Sequence, residues 1–146
     1  MAHKSPLETL IELAQKDTEA AAKQLGKAIR AQEETQSKLT MLLQYRDDYD
    51  ANFQQRAAAG LSASQYGNFL SFLGKLDDAV SGQKKVISDA ERKVEFAKSS
   101  WQQCEKKRLS YRTLDERAKS VQQHKEAKRE QKQTDEFAAR SYFYKT

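Results

Sequence analysis

Apolar residues recur at alternating spacings of four and three along most of this chain. The first series reads Leu7, Ile11, Ala14, Thr18, Ala21, Leu25, Ala28, Gln32, Thr35, Leu39, Leu42, Arg46, Tyr49, Phe53, and ten of its fourteen members are apolar. A second series reads Tyr66, Phe69, Leu73, Leu76, Val80, Gln83, Ile87, Ala90, Val94, Ala97, Trp101, Cys104, Arg108, Tyr111, Asp115, Ala118, with thirteen of sixteen apolar. A strict heptad keeps one narrow stripe turned toward a partner helix, as in a left-handed coiled coil. The pattern therefore predicts an all-α chain of two long helices.

Their ends are written locally. In "SPLE", Ser5 can cap a helix, Pro6 suits the first helical position because its missing N–H needs no partner there, and Glu8 completes a capping box. In "AAAGLSASQ", Gly60 can close the first helix in the left-handed conformation, and Ser62 with Gln65 forms a second box. The expected organisation is one coiled-coil domain over 1–146, with helix 1 over about 6–58, a turn at about 59–62 and helix 2 over about 63–140. So short a loop makes the helices antiparallel neighbours.

Register sets the reach of the pair. With the turn centred near Leu61, facing residues have numbers summing to about 122, so Pro6 meets residue 116 and helix 2 overhangs from about 117. At 1.5 Å per residue the paired region is about 80 Å long and the extension roughly 35 Å more. That extension, "ERAKSVQQHKEAKREQKQTDEFAAR" (116–140), has no Pro, no Gly and almost no large apolar side chain. Acids placed four before a base (Glu12/Lys16, Glu19/Lys23, Glu34/Lys38, Asp89/Lys93, Asp115/Lys119) add surface support of about 0.2–0.5 kcal/mol each.

Composition restricts the function classes. Only 38% of the 146 residues are hydrophobic and 32% are charged, so no thick core can form around a deep cleft. There is no apolar run of bilayer length, and "MAHKSPLETL" lacks the apolar core of a signal peptide, which points to a cytoplasmic chain. A single cysteine fits a reducing compartment. The net charge of +5 is concentrated: residues 105–146 hold twelve Lys/Arg against seven Asp/Glu, while the preceding segments are nearly balanced. A basic end can face nucleic acid, an anionic membrane or an acidic protein.

Chemistry is thinly represented. His3 and His124 are distant in sequence, so the expectation is two solvated histidines and no metal site. Asp47, Asp48 and Asp50 share a helix with no obvious cleft to raise a carboxyl pKa, and Cys104 and Trp101 fall on the seam as core. The chain reads as a non-enzyme without a cofactor. What exceeds the needs of a two-helix seam is apolar surface near the turn: Met41, Leu43 and Tyr45 on helix 1, Leu70, Phe72 and Ala79 on helix 2. Phe72, Leu76, Ala79 and Gln83 form a second stripe beside the first. Either the seam widens there or the surplus is a partner surface. Gly67, Gly74 and Gly82 make the same region the softer one.

"LETL" (7–10), "MLLQYRDDY" (41–49), "YGNFLSFLGKLDDAV" (66–80), Trp101 and "QKQTDEFAAR" (131–140), in this order and spacing, resemble the bacterial flagellar export protein FliJ family. The resemblance implies a small component of the flagellar type III export apparatus, an antiparallel coiled coil similar to the gamma-type stalk of rotary ATPases. It further implies binding to the hexameric export ATPase (FliI) with promotion of ring assembly, to the export-gate protein (FlhA) and to substrate-specific export chaperones, and a place at the cytoplasmic face of the inner membrane. Carried over by position, Leu42, Tyr45, Tyr49, Phe72, Leu76, Ala79 and Gln83 face the gate. By analogy with the stalk, Leu10, Leu13, Arg117, Lys125, Lys128, Arg129 and Lys132 enter the ATPase ring. "SYFYKT" follows no family pattern, so Tyr142, Phe143 and Tyr144 receive no role. Two other readings stay open: the equivalent stalk of a virulence-type injectisome, or a basic coiled coil on membrane or nucleic acid. Against the latter, acids interleave the bases of 119–136 and large apolar anchors are few.

Overall fold

The computed structural model describes residues 4–145. They form two helices, α1 (Pro6–Ala59) and the longer α2 (Ala63–Lys145), packed against each other as an antiparallel coiled coil with no strand among the described residues. His3 lies outside the described residues.

Both helix starts are capped by the predicted side chains. The Ser5 hydroxyl oxygen accepts the Glu8 N–H at 3.1 Å. At α2 the box is reciprocal: Ser62 Oγ accepts the Gln65 N–H at 3.1 Å, and Gln65 Oε1 accepts the Ser62 N–H at 3.1 Å. Between them Gly60 takes φ 100°, with its N–H on the Ala57 carbonyl at 3.2 Å. An L side chain is strained at that φ, so Gly60→Ala is expected to cost about 1–2 kcal/mol, read as a lower urea midpoint at unchanged slope.

Burial follows the two heptad series closely. All fourteen positions of the first are buried or half-buried, as are fourteen of the second, the exceptions being its two ends, Tyr66 and Ala118. The chain divides into two units. One comprises residues 20–102 and includes the turn. Its buried core is Leu76, Val80, Ile87 and Ala90, flanked by half-buried seam residues, Trp101 among them. The second comprises residues 1–19 and 103–146, with Ala14 and Thr18 buried. Among the described residues no side chain is almost wholly withdrawn from water, because a two-helix seam is one layer thick.

Polar members of the seam are satisfied locally. Thr18 donates its hydroxyl to the Ala14 carbonyl at 2.8 Å. Gln83 reaches across and donates its amide to the Thr35 carbonyl at 2.9 Å. Arg46, also on the stripe, pairs across the helices with Asp77 at 3.2 Å. A polar side chain in a seam fixes register at a cost in stability. Gln83→Leu is therefore expected to leave Tm unchanged or slightly higher, and to broaden the oligomeric state seen by sedimentation.

The surface pairs differ in part from expectation. Asp115 and Lys119 meet at 3.1 Å as predicted. Glu12 instead takes Lys4, at 2.7 Å, which raises the Lys4 pKa through the hydrogen bond and the charge. Asp89 takes Arg92 at 3.7 Å, and Glu19 accepts the Gln15 amide at 3.4 Å. These side chains are long and exposed, so i,i+3 and terminal partners compete with the i,i+4 lysine on nearly equal terms.

Candidate docking surfaces

The aromatic surplus is built within the unit of residues 20–102. Seven-residue spacing sets Lys38 and Tyr45 of α1, and Phe72, Ala79 and Val86 of α2, along one side of the seam. The rings mesh: Tyr45 meets Phe72 edge-on with centroids 6.2 Å apart, and Tyr49 lies 4.7 Å from Phe72 and 5.2 Å from Phe69. Phe53 continues the stack at 5.1 Å from Phe69 and 5.8 Å from Tyr66. Such contacts add about 0.5–1.5 kcal/mol each beyond burial, and they hold the rings in fixed orientations.

The seven residues assigned to the gate do not share one environment. Tyr45 is 52% exposed and Ala79 is exposed; Leu42, Tyr49, Phe72 and Gln83 are half-buried; Leu76 is only 7% exposed, in the core. Leu42, Tyr45 and Gln83, with Lys38 and Met41, line an open groove of about 440 Å³. Met41 is 71% exposed and Leu70 48%, so the seam does widen, through Leu43 and Phe72, but does not absorb the surplus. Met41 belongs to this surface more clearly than Leu76. Its outward position follows from lying one residue before the seam member Leu42.

The basic candidates lie in the other unit. Leu10 is 42% and Leu13 52% exposed on α1. Arg117, Lys125, Lys128, Arg129 and Lys132 are exposed on α2, as is every residue from 116 to 140, His124 included. Side chains in that stretch bond along their own helix, as Gln122 to Glu126 at 3.2 Å and Gln131 to Asp135 at 2.9 Å. None of those five bases is in an ion pair among the described residues, so their charge faces outward. Ahead of them, Arg108 and Glu105 form a two-pronged pair, which lowers the Glu105 pKa and raises that of Arg108.

Among the described residues there is no cluster of His, Cys, Asp and Glu that could hold a metal ion, and no helix long and apolar enough to cross a membrane. Cys104 is a half-buried free thiol on the seam.

Comparison with known proteins bears on what these surfaces serve. The profile of the family described as "Flagellar FliJ protein" matches residues 3–146. A curated protein of that name from Escherichia coli (strain K12) is 30% identical over 141 residues, covering 97% of this chain and 96% of the relative. One of the same name from Salmonella typhi is 29% identical over the same extent.

Proposed function

The chain belongs to the flagellar FliJ protein family, a component of the flagellar export apparatus, and we propose that it acts there as a non-enzymatic, stalk-like adaptor. In this reading the aromatic surface around Tyr45 and Phe72 docks on the export gate (FlhA). The basic stretch from Arg117 to Lys132, with Leu10 and Leu13, engages the hexameric export ATPase (FliI) and promotes its ring assembly. Substrate-specific chaperones are further partners, and the adaptor works in the cytoplasm against the inner face of the membrane.

The observation that supports this is the contrast between two surfaces on different units: one fixed, aromatic and apolar, the other helical, basic and exposed along its whole length. Apolar rings held by their neighbours suit a protein partner, because exposed apolar area of this kind is rare without one. A helix with acids among its bases suits a polar protein surface better than a phosphate backbone.

The division of labour is testable. Tyr45→Ala with Phe72→Ala is expected to weaken binding to the purified cytoplasmic part of the gate at least tenfold while sparing ATPase binding. Lys128→Glu with Arg129→Glu is expected to do the reverse. Equal loss of both contacts in both variants would show that the surfaces are not separate.

A further inference from the structure

The groove beside Tyr45 does not end at Gln83. Seven-residue series flank the seam on the same side: Gln24, Ala31, Lys38 and Tyr45 on α1, and Phe72, Ala79, Val86, Lys93 and Ser100 on α2. Three openings follow one another along it, all within residues 20–102. The first is the groove at Tyr45 and Gln83. A second, of about 250 Å³, lies between Ala31, Thr35 and Val86. The third, of about 470 Å³, lies between Ala21, Ala28, Phe96 and Ala97. The second and third share Ala28 and Lys93, and Gln83 of the first lining donates to the carbonyl of Thr35 in the second. From Ala21 to Tyr45 the flank extends about 36 Å along α1.

Two features say what fits. Alanines line the second opening (Ala28, Ala31, Ala90) and the third (Ala21, Ala28, Ala97), so over that part another helix can approach to the short end of the 8–10 Å interaxial range, while exposed apolar side chains stand along the flank: Met41 at 71%, Val86 at 47% and Phe96 at 76%. The charged lining is Lys27, Lys38 and Lys93 against Asp89. Asp89 is already paired with Arg92, and none of the three lysines is in an ion pair among the described residues.

We propose that this flank is a docking groove for one amphipathic helix of a partner protein, about 20–24 residues long, whose apolar stripe is bordered by Asp and Glu. Such a helix completes a three-helix layer over the seam, covers Met41, Val86 and Phe96 in one register, and neutralises the three lysines. A second copy of this chain brings the same lysines to the same place and is disfavoured by like charge. The inference deepens the docking reading above by giving the partner a shape, and rests on it in treating the aromatic region as part of the surface.

The test uses the full chain and a fluorescein-labelled designed peptide of about 21 residues, with leucines at helical spacing flanked by glutamates, beside a counterpart carrying lysine for every glutamate. The acidic peptide is expected to raise anisotropy at physiological salt and to protect residues 21–45 and 83–100 in hydrogen exchange. Phe96→Ala and Lys93→Glu, both at exposed positions, are each expected to weaken it about tenfold at unchanged circular dichroism. The basic peptide is expected not to bind. Equal binding of both peptides, protection confined to the basic stretch 117–132, insensitivity to both variants, or self-association through this flank in sedimentation would overturn the proposal. If Tyr45→Ala with Phe72→Ala still abolishes gate binding, such a failure removes the groove alone and leaves the adaptor reading standing.

Discussion

Leu76→Ala is expected to lower stability by about 2–4 kcal/mol, and to reduce gate binding no further than the fraction unfolded requires. Leu76 is one of five buried hydrophobic residues among the described residues, at 7% exposure, and Val80 follows it one turn later on the same stripe. Truncation removes transfer free energy and leaves a void that two rigid helices close only in part. The figure sits at the lower end of the range for core leucines because a single-layer seam lets water reach the site. Set against a total of about 5–15 kcal/mol, a fall in Tm of roughly 6–12 °C follows. Tyr45→Ala is the complement: at 52% exposure it is expected to move Tm little while weakening the gate contact. Thermal melts and gate titrations on both variants separate the roles. An unchanged melt for Leu76→Ala, or a loss of affinity in a fully folded sample, would return Leu76 to the docking surface.

Leu76 also shows where sequence reasoning succeeds and where it stops. Its place in the heptad series made it a core residue, and the family resemblance made it a gate residue. Spacing by seven decided burial because only one stripe of each helix can face the other, and this held through polar members such as Thr18, Gln83 and Arg46. The turn was legible for the same kind of reason, since Gly60, Ser62 and Gln65 each have few other uses at that spacing. Ion pairs were not: Glu12 chose Lys4 over Lys16, and Asp89 chose Arg92 over Lys93, because exposed partners differ by less than about 1 kcal/mol. The groove past Gln83 was equally hidden. It depends on alanines lying opposite one another across the two helices, which no pattern within one helix reveals.

Ending the chain after Arg117 is expected to abolish stimulation of export-ATPase ring assembly while leaving the melting temperature within a few degrees of the full chain. The truncation deletes seven basic and four acidic residues. Among the described residues it removes no buried side chain: every residue from 118 to 140 is exposed, Ser141 alone of 141–145 is half-buried, and the hydrogen bonds of 118–140 run within α2. Stability held by local pairs alone is close to zero for an isolated helix, so the seam should not register the loss. Circular dichroism should show less helix at a nearly constant midpoint, and gate binding should persist because Tyr45 and Phe72 belong to the other unit. Charge makes the contact sensitive to salt. With a Debye length of about 8 Å at physiological ionic strength, raising salt toward 0.5 M should weaken ATPase binding of the full chain. A truncated chain that still assembles the ring, or one that melts far below the full chain, would assign residues 118–146 to structure and leave the ring contact to Leu10, Leu13 and their neighbours on α1.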